Sequence, residues 1–393
     1  MILTNRQNEG LKIALTRYKN HEKYTVISGY AGTGKSTLVK FIIEALDVDE
    51  DRVCFACFTG KAAQVLLKKG NKNVKTLHKL LYKSFPKSDG TFGRIPVESI
   101  PYDIIIVDEV SMAPKSLMTL LATYNVHIIC LGDPFQLPPV DKDEDNHLLD
   151  HPHIFLDEIM RQAQESEIIR LTMDIRAGKS IKPIQGNEVI VSHKDELNTG
   201  MLQWADQVIC ATNATRVALN TQMRQLSGLN NLKPQNGDKI VCLRNYWDSF
   251  SDDGEDPLIN GTIGWIDNCF TTFVQLPRWA EGQQIPILNC NFKTDSNSIF
   301  SSLDMDRDMI ITGESSLNWK TSFKLSKNPK TRLLVPKQFT YGYAITCHKA
   351  QGSEFEKVLV VEEKFPFDKE EHARWLYTAA TRASEKLVII QKD

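Results

Sequence analysis

The sequence predicts an α/β fold: a parallel sheet covered by helices, with a phosphate-binding loop at the end of its first strand. Three observations carry that prediction. The stretch Gly29-Tyr-Ala-Gly-Thr-Gly-Lys-Ser-Thr37 follows a strand-like run, residues 24–28, and leads into an amphipathic helical pattern, residues 35–46, with Leu38, Val39, Phe41, Ile42 and Leu46 apolar. Apolar β-type runs at residues 24–28, 53–57, 104–107 and 126–131 alternate with helical patterns, as in parallel sheets with crossover helices. Every polar motif singled out below begins at the carboxyl end of such a run, where open parallel sheets place their ligands.

The first strand and its loop set the chemistry. Gly29, Gly32 and Gly34 let the backbone curl so that successive N–H groups, those of Ala31 and Thr33 among them, face phosphate oxygens, and the helix behind adds its positive end. Lys35 is spaced to reach the β- and γ-phosphates, Ser36 to ligate Mg²⁺, and Thr37 closes the motif. The next run of interest, residues 104–107, ends in Asp108-Glu109. A buried strand ending in two acids suits Asp108 to Mg²⁺ and Glu109 to an attacking water, and a helix cap would need only one of them. After residues 126–131 comes Gly132-Asp-Pro-Phe-Gln-Leu-Pro-Pro139, whose prolines stiffen a loop that holds Gln136 as a γ-phosphate sensor.

Composition bounds the rest. A chain of 393 residues, 41% hydrophobic and 24% charged, suggests two to four globular domains. Residues 1–10 lack a signal pattern and no apolar run approaches about 20 residues, so the expected location is cytoplasmic, with no membrane partner. The eight cysteines are scattered. Cys54 and Cys57 form a lone C-x-x-C inside an apolar run, where reduced thiols serve as small hydrophobes, and the histidines show no metal-ligand spacing. The net charge of −2 hides an uneven distribution: residues 52–94 carry ten basic side chains against Asp89 alone. Such an excess beside a phosphate loop reads as a nucleic-acid backbone footprint. Compensating acid lies at residues 141–145 and 248–256, the latter expected as a solvated turn.

Two insertions interrupt the α/β pattern. Residues 80–102, with Phe85, Phe92 and the turn Ser88-Asp-Gly90, read as a basic β-hairpin whose aromatics either wedge against bases or pack on the hairpin itself. The second half is expected to open with helices at residues 156–162 and 165–178, followed by a strand at 208–211 and a helix at 217–226. From about residue 246 to 336 the pattern turns to short β-type runs, at 262–266, 273–276, 285–290 and 333–335, with few helices, and Trp247, Phe250, Trp265 and Trp279 are expected to form its core. The α/β pattern then resumes at 340–346, 358–362, 373–381 and 387–391.

Taken together, Ala31-Gly-Thr-Gly-Lys-Ser36, Asp108-Glu-Val-Ser-Met112, Gly132-Asp-Pro-Phe-Gln136, Arg161-Gln162, Asn260-Gly261 with Gly264, His348-Lys-Ala-Gln-Gly-Ser-Glu-Phe355 and Tyr377-Thr-Ala-Ala-Thr-Arg382 resemble, in order, the motifs of superfamily 1 DNA helicases of the RecD and Dda type. The resemblance implies two RecA-like motor domains, residues 1–79 with 103–150 and 151–245 with 337–393. It also implies a strand-separating pin at 80–102 and a β-rich, SH3-like accessory insertion at 246–336. It assigns Gln7 to the adenine edge, Arg161 and Arg382 to the γ-phosphate from the opposite domain, and Gly352 and Glu354 to the nucleotide from that same side. A guanidinium fork suits the charge that spreads over transferring phosphoryl oxygens. For DNA it points to Thr59, Lys61, Thr76, His78, Thr346 and His348, with Phe85 or Phe92 at the pin.

Two departures qualify the likeness. Met160 stands where many superfamily 1 enzymes place an adenine-stacking aromatic, implying loose base selectivity, and the chain starts almost at Gln7, which favours a compact Dda-like enzyme over a RecD-type subunit. The expectation is an ATP- and Mg²⁺-dependent helicase moving 5′ to 3′ on single-stranded DNA. It would act as a monomer in a bacterial or phage-infected cytoplasm, at single-strand/duplex junctions and beside single-strand-binding, replication or recombination proteins. The alternatives are an ATPase subunit of a recombination nuclease, an ATP-gated DNA-binding or loading factor, and an RNA motor.

Overall fold

The computed structural model describes residues 3–86, 92–138, 142–160, 164–229, 231, 233–254, 256–280, 282–366 and 368–391. Two compact units divide the chain. Met1–Tyr82, Pro96–Asn213 and Thr346–Asp393 make the first, and Lys83–Ile95 with Ala214–Ile345 make the second.

Within the first unit, α1 (Asn5–Lys19), β1 (Tyr24–Gly29), α2 (Lys35–Leu46), β2 (Val53–Cys57), α3 (Gly60–Lys68), β3 (Val74–Thr76) and α4 (Leu77–Leu81) follow one another. Strands β4 (Tyr82–Pro86) and β5 (Phe92–Pro96), which fall almost wholly in the second unit, pair as a two-stranded sheet, narrower than the hairpin expected at 80–102 because Leu80 and Leu81 are buried in the last turn of α4. Then β6 (Ile104–Val107), α5 (Lys115–Ala122), β7 (His127–Gly132) and β8 (Ile154–Leu156) complete a parallel sheet of order β3-β2-β6-β7-β1-β8. Alternation of side chains sorts its core: Ile104, Ile106, Ile129 and Leu131 pack with Leu38, Val39 and Ile42 of α2, whereas Ile105, Val107, Ile128 and Cys130 pack with Leu77, Leu81, Leu117 and Leu121. Burial on both faces is why these strands read as unbroken apolar runs, each full Ile or Leu contributing about 1.5–3 kcal/mol. Cys54 joins the second of these clusters and Cys57 a separate one with Ala62 and Leu66; burial pushes the Cys54 thiol up to about 12.

The second sheet of this unit uses β9 (Ile184–Gln185), β10 (Val189–His193), β11 (Gln207–Cys210), β20 (Phe355–Val361) and β21 (Ala383–Gln391) in the order β11-β20-β21-β10-β9, parallel except for β9. Of the helix expected at residues 156–162, Leu156 instead ends β8 beside Gly29 and residues 157–160 run irregularly, with the Met160 N–H donating to the Gly32 carbonyl at 3.0 Å, while Arg161 and Gln162 lie outside the described residues. Helix Lys369–Ala380 is capped by Asp368, whose carboxylate accepts from Glu370 and Glu371 N–H. No helix among the described residues is long and apolar enough to cross a membrane.

The second unit centres on an antiparallel sheet of order β17-β16-β15-β12-β18, from β12 (Lys239–Cys242), β15 (Ile263–Gln275), β16 (Gln284–Thr294), β17 (Ile299–Asp306) and β18 (Phe339–Tyr341); β13 (Tyr246–Phe250) and β14 (Pro257–Leu258) form a separate pair, and β19 (Ala344–Thr346) lies at the unit boundary in sequence. Its core is Phe292, Phe300 and Phe339, fully buried, with ring centroids 6.2 and 5.2 Å from Phe292. The expected tryptophan core is therefore corrected. Trp265 is exposed because it alternates with the buried Ile266 on β15, Phe250 is exposed at the end of β13, and Trp279 is exposed in a short turn after β15. The side chain of Trp247 lies outside the described residues. Three short helices, Arg307–Thr312, Trp319–Ser326 and Pro329–Arg332, occupy a region expected to be nearly all β, and residues 333–335 form a turn after the last of them. The acidic turn is not merely solvated: Asp252 accepts from the Ser301 N–H at 3.0 Å and hydroxyl at 2.6 Å, and Asp256 accepts from the Ser298 hydroxyl.

A buried ion pair holds this unit together. Arg224 donates to both oxygens of Asp238 at 2.6 and 2.9 Å, its guanidinium lies 4.3 Å from the Tyr341 ring centre, and Tyr343 donates to Asp238 at 3.2 Å. Replacing Asp238 by alanine strands the buried guanidinium. The Asp238→Ala chain is expected to lose about 3–5 kcal/mol in urea unfolding.

Candidate active site

The phosphate loop is built by strand burial and two glycine positions. Gly29 ends β1, and a Cβ there would sit 2.8 Å from both the Leu156 carbonyl and the Thr33 hydroxyl. Gly34 precedes α2 at φ +77°, with no side chain capping the helix, so the first N–H groups of α2 remain open to an anion. Gln7 braces this loop from α1. Its carbonyl oxygen accepts from Thr4 N–H in a capping box, and its amide donates to the carbonyls of Thr33 at 3.2 Å and Gly34 at 3.5 Å. The expected adenine-edge residue is thus buried against the loop backbone. Lys35 folds back onto the loop, donating to the Gly29 and Tyr30 carbonyls at 2.7 and 3.0 Å. Ser36 is exposed at the helix start and Thr37 half-buried.

Asp108 and Glu109 leave β6 together. Asp108 N–H donates to Ala56 O across the sheet, and the Asp108 carboxylate accepts from Glu109 N–H at 2.9 Å. Glu109 has φ 49° and ψ 49°, a left-handed conformation unusual for a residue with a Cβ and typical of functional turns. Burial and then the charge of Glu109 push the Asp108 carboxyl up to about 6, with Lys35 opposing. An all-oxygen pair of Ser36 hydroxyl and Asp108 carboxylate, with acid crowded beside acid, fits a hard cation such as Mg²⁺.

The loop after β7 joins these groups to the second sheet. Oriented by its neighbours, the buried Gln136 amide donates to a Glu109 carboxylate oxygen at 3.3 Å and accepts from Arg382 at 3.2 Å. Arg382 is buried and also donates to the carbonyls of Thr378 at 3.1 Å and Ser353 at 3.3 Å. Helix Lys369–Ala380 lays one face on the same loop. Arg374 donates to Pro134 O at 2.9 Å, Tyr377 to Asp133 at 2.6 Å, and the Thr378 hydroxyl accepts from Leu137 N–H at 3.0 Å. The Tyr377 hydroxyl also accepts from the Ala31 N–H of the phosphate loop at 2.9 Å. Burial, aided by the Asp133 charge, raises the Tyr377 phenol, and burial raises Asp133. From the adjoining segment, Gln351 donates to Leu137 O at 2.8 Å.

Sequence reasoning singled out neither Tyr377 nor Asp133, Thr378, Gln351 and Arg374 for a role. The signal was present as a polar stripe, Arg374, Tyr377, Thr378 and Thr381, at helical spacing. Arg161 and Gln162 lie outside the described residues. Glu354 pairs with Lys69 at 3.2 Å, and Gly352, at φ +73°, lies so close to Thr59 that a Cβ would sit 3.0 Å from its hydroxyl. Both thus neighbour the ends of α3, Thr59 being its N-cap and Lys69 its C-cap.

Of the residues expected at DNA, Thr59 and Thr76 cap α3 and α4, their hydroxyls accepting from Ala62 and Lys79 N–H, each at 3.2 Å. Lys61 is buried, and His78 is flanked by Phe58 and Tyr82, with ring centroids 5.9 and 6.3 Å away. Thr346 and His348 sit at the start of helix Cys347–Ala350, His348 exposed. Phe85 and Phe92 belong to β4 and β5, but their side chains lie outside the described residues.

A family model for an AAA domain matches residues 3–192, and one for a UvrD-like helicase C-terminal domain matches residues 341–390. The ATP-dependent RecD2 DNA helicase of Deinococcus radiodurans is 27% identical, the match taking in 93% of this chain and 46% of that protein. These matches support a likeness to superfamily 1 helicases of the RecD/Dda type. The Dda helicase of Enterobacteria phage T4 is 30% identical over 45% of this chain and 43% of its own length. The match therefore spans about half the length, or less, of these curated relatives. A solved Pif1 helicase structure, from work on forked duplex DNA, shares the fold at 18% identity with a TM-score of 0.54, covering 100% of this chain and 92% of that one.

Tyr377→Phe removes the donor to Asp133 and the acceptor for Ala31 N–H. The variant is expected to unfold about 2–4 °C lower by scanning calorimetry, the cost of about 1–3 kcal/mol for buried polar groups left unsatisfied.

Proposed function

We propose that this protein is an ATP-dependent DNA helicase that moves 5′ to 3′ along single-stranded DNA. The observation that carries the reading is the Gln136 amide, which touches Glu109 at the end of one sheet and Arg382 beside the other. A group that reads the carboxylate aimed at water and the guanidinium aimed at phosphate couples hydrolysis to the relation between the two sheets.

In this reading Lys35 exchanges its two loop carbonyls for β- and γ-phosphate oxygens, and the open N–H groups at the start of α2 take the rest of the phosphate charge. Ser36 and Asp108 would hold Mg²⁺, which when bound neutralises phosphate charge and polarises the transferring group. Glu109 orients and deprotonates the attacking water; Arg382, with Arg161, neutralises charge developing on the phosphoryl oxygens. Gln136 senses the loss of the γ-phosphate. The cap residues Thr59 and Thr76, with Lys61, His78, Thr346 and His348, grip the DNA backbone without reading sequence, and β4 and β5 separate strands. Polarity, monomeric action in the cytoplasm and work beside single-strand-binding or recombination proteins belong to the same reading and draw on the likeness to RecD2 and Dda.

Steady-state hydrolysis with and without single-stranded DNA, followed by unwinding of duplexes with a 5′ or a 3′ tail, tests it. The wild type should show DNA-stimulated turnover, abolished by EDTA, and displacement from the 5′ tail only. Lys35→Ala and Arg382→Ala should each lose about 100-fold or more in kcat, the scale for removing one donor from a transition-state site. Turnover indifferent to DNA, or stimulation with no displacement from either tail, would sink the motor.

A further inference from the structure

From residue 315 to residue 353 the sequence has no acidic residue, yet it carries six lysines and Arg332. Part of this stretch folds as helix Trp319–Ser326 and helix Pro329–Arg332 in the second unit, outside every motif assigned above. Leu325 is fully buried with Ile285, Ile287 and Leu317 and anchors the first helix to the β15–β16 hairpin. The buried Thr331 hydroxyl donates to Leu325 O at 2.9 Å and ties the second helix to the first. The scaffold is therefore fixed on one side.

The other side is built against the usual economy of surfaces. Trp319 and Phe323, one helical turn apart, are 72% and 51% exposed, with ring centroids 6.4 Å apart and planes at 53°. Lys327 continues the stripe, its ammonium 4.1 Å from the Phe323 ring centre, and Lys320, Lys324 and Lys330 are exposed around it. Large exposed rings interleaved with cations match what single-stranded nucleic acid needs: a π surface for bases and positive charge for phosphates. An acidic peptide would satisfy the lysines but gains less from rings exposed on a convex helix.

We infer that the Trp319–Phe323–Lys327 stripe is a second binding site for single-stranded DNA, stacking bases on the two rings and holding phosphates with the surrounding lysines. It rests on the helicase reading only in that DNA is the polymer at hand. The site would take strand beyond the length gripped by the motor motifs and tolerate any sequence.

The test uses the full chain without nucleotide and labelled oligo-dT of about 8 and about 24 nucleotides, read by anisotropy across a salt series. W319A/F323A should bind the longer strand about tenfold more weakly and the shorter one unchanged. K324A/K327A should lower the salt slope for the longer strand by about 1.4. Photocrosslinking of iodouracil-substituted longer strand should label the peptide that contains Trp319. Equal affinity of the variants and the wild type for the longer strand, no crosslink at Trp319, or aromatic-dependent capture of poly-glutamate in preference to oligo-dT would overturn the inference. Failure of the wild type to bind either strand would instead remove the helicase reading. Because the substituted side chains are exposed, unchanged melting is expected; should W319A/F323A unfold, the lysine pair and the crosslink decide the question.

Discussion

A strand buried on both faces cannot carry a charged side chain along its length, and most of the site follows from that constraint. Strands β1, β6 and β7 carry no carboxylate, lysine or arginine, their polar residues being only the buried Thr25, Ser28 and His127, so each releases its charged groups at the carboxyl edge: the glycine loop and Lys35, then Asp108 and Glu109, then Asp133 beside Gln136. Adjacent strands in a parallel sheet end at similar height, which brings side chains separated by a hundred residues of sequence within hydrogen-bonding distance. The crowding has an electrostatic cost. Asp108 is held up near 6 because it is buried beside another acid, and that cost is the mark of a site shaped for a cation and a polyphosphate.

The second sheet meets the Gly132–Pro138 turn through both polar contacts and one aromatic contact. Arg374, Tyr377 and Thr378 on one helix, with Gln351 and Arg382 nearby, engage the backbone of the turn, Asp133 and Gln136, while Phe135 stands edge-on to Tyr377 with ring centroids 5.2 Å apart and lies under Arg374. The polar contacts are individually modest, about 0.5–1.5 kcal/mol net, and the ring contact adds apolar burial to them.

What the sequence disclosed and what it withheld divide along physical lines. Two-sided burial made the first sheet legible, since runs such as Ile104 to Val107 leave no other place for themselves, and the loop from Gly29 to Thr37 declared its chemistry through glycine spacing. The aromatic residues of the second unit misled because size alone does not say which face of a strand a residue takes: Trp265 alternates outward with Ile266 inward, and Phe292, Phe300 and Phe339 fill the core instead. Helix Trp319–Ser326 was missed because it is only eight residues long and lies in a region otherwise read as short β-type runs, with Leu325 turned into the core and Trp319 out. Tyr377 was quoted within a motif yet given no task, because a phenol joining Ala31 to Asp133 is a fact of tertiary structure.

The left-handed backbone of Glu109 carries a consequence for side-chain choice. Asparagine and aspartate adopt that conformation more readily than glutamate, so local preference alone would favour the shorter acid at this position. The chain keeps the longer one. One methylene adds about 1.5 Å of reach, close to the scale that separates a hydrogen bond to Gln136 at 3.3 Å from a gap too wide for direct contact. Length, rather than charge, is what distinguishes glutamate from its shorter homologue here, and backbone strain is tolerated in exchange for placing a carboxylate at the right distance.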